Sequence, residues 1–335
     1  MYNGVMASKK ITVDISHRTI IFTLFLLLAI VFFRHIAGVV TSLFIAFLIS
    51  VAINPSINRL SKRNIPRPIS AFIILFLVFL LLALLAASII SPLISETQNF
   101  IEQLPGLIDR LGVYNIDLSN FSDKLYSAPG SVLKIALSTF SGLIFFFTTI
   151  VISFYILADR PSLKKYLITL LGGEKGEKYN QIAEELEVRL GAWVRGELFL
   201  MFIVGLSTYI GLTLIGLPYA IPLAVIAGVL ELVPNIGPTI AAVPAILVGF
   251  AISPVHGLIT LGLSILIQQL ENNLFVPKIM QQAVGLHPVV TIITLLIGFN
   301  LGGPLLAILA LPIVLSIQVI LPHFRTQVSD VGIKL

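Results

Sequence analysis

The sequence predicts an all-α polytopic membrane protein, and three observations carry that prediction. Of 335 residues, 57% are hydrophobic and only 11% are charged. A soluble domain carries roughly 25% charged residues, so this chain has too little charge to cover a water-facing surface. The mean hydropathy is +1.03. Between Leu198 and His323 the only formal charges are Glu231, Glu271 and Lys278, and so long an apolar stretch needs lipid as its solvent. Cysteine is absent, which removes disulfide and thiolate chemistry. The net charge of +5 sits in short loops beside apolar runs, the arrangement that orients a membrane protein. No nucleic-acid partner is expected.

A spanning helix takes roughly 20 apolar residues. The run 19–33 follows Lys9, Lys10 and Arg18 but ends in Phe32-Phe33-Arg34 with no small-residue cleavage site, so it reads as an uncleaved first helix. Arg34-His35 divides it from the run 36–53, and the two are expected to form a tight helical hairpin. The runs 69–91, 138–157 and 198–217 are clear spans. Beyond them the pattern fragments into 219–233, 239–252, 256–276, 288–299 and 305–321. Several pieces are too short to cross alone, so about eight crossings are expected, some built from broken or re-entrant segments.

Lysine and arginine set the direction. The connector 54–68 holds Arg59, Lys62, Arg63 and Arg67 without an acid, which predicts a cytoplasmic loop. Residues 92–137 then lie outside, consistent with five acids against three bases there. The organisation read in this way is 1–91 (N-terminal helices and basic loop), 92–137 (extracytoplasmic helical segment), 138–157 (a span), 158–197 (cytoplasmic helical segment), 198–322 (transport core) and 323–335 (cytoplasmic tail). In the outer segment Leu93, Thr97, Ile101, Leu104, Ile108 and Leu111 recur at steps of four and three, a helical seam that packs on the chain itself or on a second subunit. Pro105 is expected to open a second helix there. In the inner segment Pro161 begins a short helix that Gly172-Gly173 ends, and Tyr179, Ile182, Leu186, Leu190 and Trp193 line one face of the next. Seven charges of each sign suit a solvated surface.

The C-terminal half carries the chemistry. Its apolar runs are interrupted at Gly216-Leu217-Pro218, Pro234-Asn235-Ile236-Gly237-Pro238, Pro277, Leu286-His287-Pro288 and Gly302-Gly303-Pro304. Each interruption frees backbone groups that must find partners in protein or in a wet cavity. Transporters use such discontinuous helices to build substrate and ion sites near the membrane midplane; the competing reading is ordinary kinks and surface turns. Glu231 lies three residues before Pro234, and a carboxylate buried mid-membrane usually has a function. Ser264, Gln268, Glu271 and Asn272 follow i, i+4, i+7 and i+8 and define one wet helical face, with Asn273 beside it. The site residues read from this pattern are Glu231, Asn235, Gln268, Glu271, Asn272 and Asn273, framed by Pro234, Gly237, Pro238, Pro277 and Lys278. Lys278 is placed to neutralise Glu271 or Glu231, the structural alternative in which Glu231 otherwise caps a broken helix. His287 reads as a turn residue. With no nucleophile elbow, phosphate-binding glycine loop or metal-spaced cluster, neither an enzyme nor direct use of ATP is expected, and no cofactor or metal.

The runs Gly216-Leu217-Pro218-Tyr219-Ala220 and Ala227-Gly228-Val229-Leu230-Glu231-Leu232-Val233-Pro234-Asn235-Ile236-Gly237-Pro238 resemble the autoinducer-2 exporter family of permease-like proteins. So do Gln269-Leu270-Glu271-Asn272-Asn273-Leu274-Phe275-Val276-Pro277-Lys278 and Val284-Gly285-Leu286-His287-Pro288, with weaker matches at Tyr155-Ile156-Leu157-Ala158-Asp159-Arg160 and Arg195-Gly196. The resemblance implies about eight transmembrane helices in the cell membrane, cytoplasmic termini and a homo-oligomer, in the family's case a pentamer. It also implies export of a small polar molecule such as the quorum signal autoinducer-2, coupled to protons or another ion. Other members resemble sodium or lithium/proton antiporters. A neutral polyol wants amides and a bare cation wants carboxylates and freed carbonyls, and this sequence offers both. The reading from another class is a membrane scaffold that transports nothing.

The orientation is directly testable because no native thiol interferes. A cysteine placed at Ser119 is expected to react with an impermeant thiol reagent in intact cells, and one at Ser61 is expected to stay unlabelled. The reverse pattern overturns the orientation read from charge.

Overall fold

The computed structural model describes residues 17–112, 145–234, 236–280 and 287–330. Every regular element among them is helical: α1 (His17–Ser61), α2 (Arg67–Gly112), α3 (Phe145–Ala158), α4 (Arg160–Leu171), α5 (Gly173–Ile215), α6 (Ala220–Leu230), α7 (Gly237–Ile252), α8 (Pro254–Leu270), a π-helical turn (Glu271–Phe275), α9 (Val276–Ile279) and α10 (Pro288–Asp330). The chain separates into two compact units, 1–45 and 46–335. The first contributes only the opening of α1 to the described residues, and all that follows concerns the second.

Four helical stretches are long and apolar enough to cross a membrane: Ile36–Ser61, Arg67–Leu84, Lys175–Ile215 and Val289–His323. The pair α3 and α4, bent by 69°, makes a fifth if it counts as one span. The all-helical membrane class is therefore observed, whereas eight crossings are not reached among the described residues. Two differences have clear causes. The expected hairpin at Arg34-His35 is absent, because α1 runs unbroken from His17 to Ser61; charge alone does not end a helix, since Arg and His have ordinary helix propensities. Likewise Pro105 opens no second helix, since α2 continues through it to Gly112.

Other expectations are met. Pro161 stands at the start of α4, and Gly172, with φ +76°, ends it in the left-handed region that glycine tolerates. The pieces 288–299 and 305–321 belong to one stretch broken at Gly302 and Gly303, whose backbones leave helical values. The break is a fold-back: a Cβ on Gly298 would lie 2.6 Å from the Leu306 carbonyl and 2.8 Å from Ala310 Cβ. In a straight helix Gly298 and Ala310 would be about 18 Å apart.

A guanidinium ties the first three helices of this unit together. Arg67 Nε donates to the Leu157 carbonyl at 2.8 Å, and its terminal nitrogens donate to the side-chain oxygens of Asn58 and Asn54, each at 2.7 Å. Ile57, Ala71 and Leu157 close into a buried apolar cluster beneath it. A second contact joins α1 and α3, where Ser153 Oγ lies 3.2 Å from the Ala46 carbonyl and Ser50 Oγ 3.3 Å from the Ser153 carbonyl, while each hydroxyl donates to its own helix at 2.7 Å. Arg160 then forks onto the Glu187 carboxylate and fixes the start of α4 against α5.

The far part of α2 packs on its own chain. Tyr219 Oη donates to Gln103 Oε1 at 2.8 Å, and the Ile221 amide donates to Glu96 Oε2 at 3.3 Å, so a carboxylate sits at the N-terminus of α6. These bonds favour the reading in which this segment lies against its own subunit; the side chains of Ile101, Leu104 and Ile108 in the expected seam fall outside the described ones. Close helix crossings use glycine. A Cβ on Gly228 of α6 would meet the Met201 carbonyl of α5 at 2.9 Å, and one on Gly249 of α7 would meet Gly257 Cα of α8 at 3.0 Å.

Replacing Arg67 by Met strands three acceptors at once, the carbonyl of buried Leu157 and the side-chain oxygens of buried Asn54 and half-buried Asn58. At about 1–3 kcal/mol for each unsatisfied group, partly relieved by water at this half-buried position, the loss is expected to reach about 2–4 kcal/mol. It is read as a lower unfolding midpoint in detergent, with Lys62→Met, an exposed loop change, as the unaffected control. An unchanged midpoint for Arg67→Met removes the guanidinium from the fold.

Candidate functional site: a buried carboxylate cluster

The site grows from the two longest interruptions. Helix α6 ends at Leu230, and the following residues fold back on it: the Leu232 and Val233 amides donate to the Val229 and Leu230 carbonyls, and the Gly237 amide donates to the Val233 carbonyl at 2.8 Å. The turn is so tight that a Cβ on Gly237 would lie 1.8 Å from the Leu230 carbonyl. Pro238 then sits in the first turn of α7, where its lack of an N–H costs nothing. Glu231 occupies the position just after α6 and is 0% exposed. It does not cap with its side chain, for neither carboxyl oxygen has a hydrogen-bond partner among the described residues. Asn235 lies outside the described residues.

The second interruption is the π-helical turn that follows α8. Glu271 is its first residue and is 1% exposed. Gln268, one turn earlier, donates from Nε2 to Glu271 Oε2 at 3.3 Å. The wet face foreseen in the sequence is narrower than expected. Ser264, Gln268 and Glu271 point inward, whereas Asn272 and Asn273 are exposed on the chain's own surface. The α-helical register ends at Glu271, where the π-helical turn begins, so the i, i+8 spacing that would put Asn272 on this face no longer holds. Asn273 Nδ2 donates instead to the backbone and side-chain oxygens of Gln269 at 2.9 and 2.8 Å. Pro277 and Lys278 are also exposed, and Lys278 forms no ion pair with Glu231 or Glu271. The neutralising role foreseen for it is corrected by this geometry: the two carboxyls are buried and the ammonium is not. His287 is the turn residue expected, its Nδ1 accepting from the Val289 amide at 3.3 Å.

A third carboxylate completes the cluster and was not foreseen. Glu197 was assigned to the end of a solvated cytoplasmic segment, but α5 runs through that boundary without a break, and Glu197 is 3% exposed. Its Oε1 has no hydrogen-bond partner among the described residues. The sequence did hold a signal: Leu190, Trp193, Glu197, Leu200 and Val204 continue the steps of three and four, and all are buried. The seam ended at Trp193 in the reading because charges on either side were counted as solvated.

The three carboxyls are near enough for their charges to interact when ionised, Glu271 with Glu197 and with Glu231, and Glu197 with Glu231. Among the described residues no three carboxylate or imidazole groups draw close enough to hold one metal ion. Nearby, Gly196 lies against Met280, whose sulfur would be 2.8 Å from an added Cβ. A cavity of about 320 Å³ lies among α5, α6, α7 and α8, lined by Val204, Thr208, Thr239, Ser264, Ile267 and Gln268 among others. Gln268 therefore touches both the cavity and the carboxylates.

Broken helices around a buried polar cluster, in an all-helical chain with several apolar spans, define a multi-pass membrane protein with the discontinuous helices that transporters use. The chain belongs to the AI-2E transporter family, whose model matches residues 20–326. Relatives bear names that class them as transport proteins or permeases. YueF of Bacillus subtilis (strain 168) is 32% identical over 195 residues, 56% of this chain and 52% of YueF. YrrI of the same strain is 32% identical over 171 residues, 51% of this chain and 48% of YrrI. The permease PerM of Escherichia coli (strain K12) is 26% identical over 225 residues, 65% of this chain and 63% of PerM. The chain thus spans about half the length of the first two.

The turn that places Glu231 depends on Gly237. Gly237→Ala forces a methyl onto the Leu230 carbonyl and is expected to cut the yield of monodisperse protein on size exclusion sharply. Gly262→Ala, with nothing within 4 Å of the new atom, is expected to match the parent. Equal yields for both would mean that the turn relaxes without cost.

Proposed function

We propose that this chain is a proton-coupled transporter of a small solute, seated in the cell membrane with both termini in the cytoplasm, in which Glu197, Glu231 and Glu271 take up and release protons during each cycle. One observation carries the reading. Glu231 is fully buried, neither of its oxygens has a partner among the described residues, and the charges that act on it are two further carboxylates. A charge buried without a partner is among the costliest arrangements in a protein, and a proton or cation that comes and goes relieves it.

Two finer readings compete for the cargo. The family's name and the cavity of about 320 Å³, with Thr208, Thr239, Ser264 and Gln268 as its hydrogen-bonding groups, support export of a small molecule of the autoinducer-2 kind. The carboxylates themselves support sodium or lithium exchange for protons. Asn272 and Asn273 support neither, since their exposure puts them outside the cavity of a single chain.

Glu→Gln keeps the volume and the hydrogen-bonding reach and removes the titratable charge. Glu231→Gln and Glu271→Gln are each expected to insert and assemble normally in proteoliposomes. Each is expected to lose most of its transport, and with it the dependence on a pH gradient. Release of autoinducer-2 and sodium-driven pH change, measured on one preparation, separate the two cargo readings. Transport at the parent rate, with the parent pH dependence, in both variants sinks proton coupling through these residues.

A further inference from the structure

Among the described residues, Gln268 is a polar side chain that both lines the cavity and bonds to the carboxylate cluster. We propose that Gln268 couples the two: it reports the protonation of Glu271 to the cargo cavity by moving between the carboxylate and the cavity. The proposal rests on the reading of Glu271 as a proton carrier.

The geometry supplies the parts. Glu271 opens the π-helical turn and is 1% exposed, while Gln268 is half-buried one turn before it. Its amide Nε2–H donates to Oε2 at 3.3 Å, which leaves the amide's own oxygen as an acceptor toward the cavity. Ser264, one turn further back, lines the same cavity and spends its hydroxyl proton on the Thr260 carbonyl at 2.9 Å. Gln268 has the longest polar side chain of that wall, and it reaches both the carboxylate and the cavity.

When Glu271 is ionised, the amide N–H donates to a charged acceptor, a bond roughly twice as strong as a neutral one. A proton delivered to Glu271 removes that charge, so the oxygen that still accepts from the amide holds it only by the weaker, neutral bond. The amide is then released toward the cavity, where it narrows the space or meets the hydroxyl or carbonyl of a bound solute. No charged side chain stands among the cavity's lining residues, a lining that suits an uncharged solute better than an ion. Two other titratable groups face Glu271 from the packed elements: Glu197 on α5 and Glu231 after α6. Either could in principle move the amide through Glu271, so the test includes them.

The chain lacks cysteine, so Ser264→Cys introduces a single thiol on the cavity wall. The full-length protein in proteoliposomes is treated with N-ethylmaleimide, a small neutral probe, in neutral and in acidic buffer. Every rate is divided by that of a Ser61→Cys control, which cancels the thiol's own response to pH. The expected result is that relative labelling at Ser264→Cys falls by about fivefold on acidification, the scale of losing one charge-assisted bond. The fall should vanish when Gln268→Met is added, since Met keeps the length and cannot hydrogen-bond to the carboxylate. It should vanish equally with Glu271→Gln. The same fall with Gln268→Met overturns the proposal, as does a flat response in the Ser264→Cys parent. Loss of the fall with Glu197→Gln or Glu231→Gln but not with Glu271→Gln overturns it too, because the proton then sits elsewhere. Failure of the wider reading is seen separately, as unchanged transport in Glu271→Gln; that outcome leaves no proton on Glu271 for Gln268 to report.

Discussion

Lipid offers no hydrogen bond, so every backbone carbonyl that a proline frees in this chain must be met from within the protein. The clearest case is Pro55 in α1. Having no N–H, it leaves the Val51 carbonyl without its helical partner. Arg195 of α5 answers with Nη1, which lies 3.4 Å from the Val51 carbonyl and 3.3 Å from that of Ala52. The two helices are nearly in backbone contact there, since a Cβ on Gly191 would be 2.6 Å from the same Val51 oxygen. Two turns of α5 thus dock α1 through Gly191 and Arg195, admit Met280 against Gly196, and turn Glu197 into the carboxylate cluster. The position of the site follows from where one proline opened one helix.

The same constraint explains the form of the C-terminal half. Helices α6 and α7 are short, at 11 and 16 residues, and neither spans a bilayer alone. Their ends are closed by local devices. The residues after Leu230 fold back onto the last carbonyls of α6. Between α7 and α8, Ser253 adopts extended backbone and its Oγ accepts from the His256 amide at 3.2 Å, with Pro254 in the first turn of α8. Glycines at the crossings let these fragments pack at backbone distance, so that short helices enclose a cavity that long ones would have filled with side chains.

How much of this was legible depends on whether the signal was local. Breaks written in proline and glycine were read correctly at Pro161, Gly172, Pro234–Pro238 and Gly302-Gly303, because those residues act on their own backbone. Errors arose where charge was taken as a break. Arg34-His35 does not turn α1, and the charges before Leu198 do not end a segment. The burial of Glu197 comes from packing between segments distant in sequence, and only the continued seam from Leu190 to Val204 announced it. Asn272 and Asn273 were misplaced for the opposite reason: polarity beside Glu271 was read as a shared face, whereas the α-helical register ends at Glu271 and both are exposed.

A purely structural account of the carboxylates meets a physical objection. Buried charges that stabilise a fold are paired, and an unpaired one is replaced at a profit in stability by an apolar residue of similar volume. Here the pairing is absent where it would be simplest: Lys278, the only cation of the apolar stretch, is exposed and joined to neither Glu231 nor Glu271. The neighbours that act on Glu231 are like charges. Elsewhere the same chain pairs its charges efficiently, as Arg160 with Glu187 and Lys164 with Glu184. The contrast within one molecule separates two uses of glutamate. On the solvated part of α5 it fastens helices. Among the broken helices it stands in an environment that one charge state alone does not suit, which is the condition a group must meet if it is to exchange a proton on every cycle.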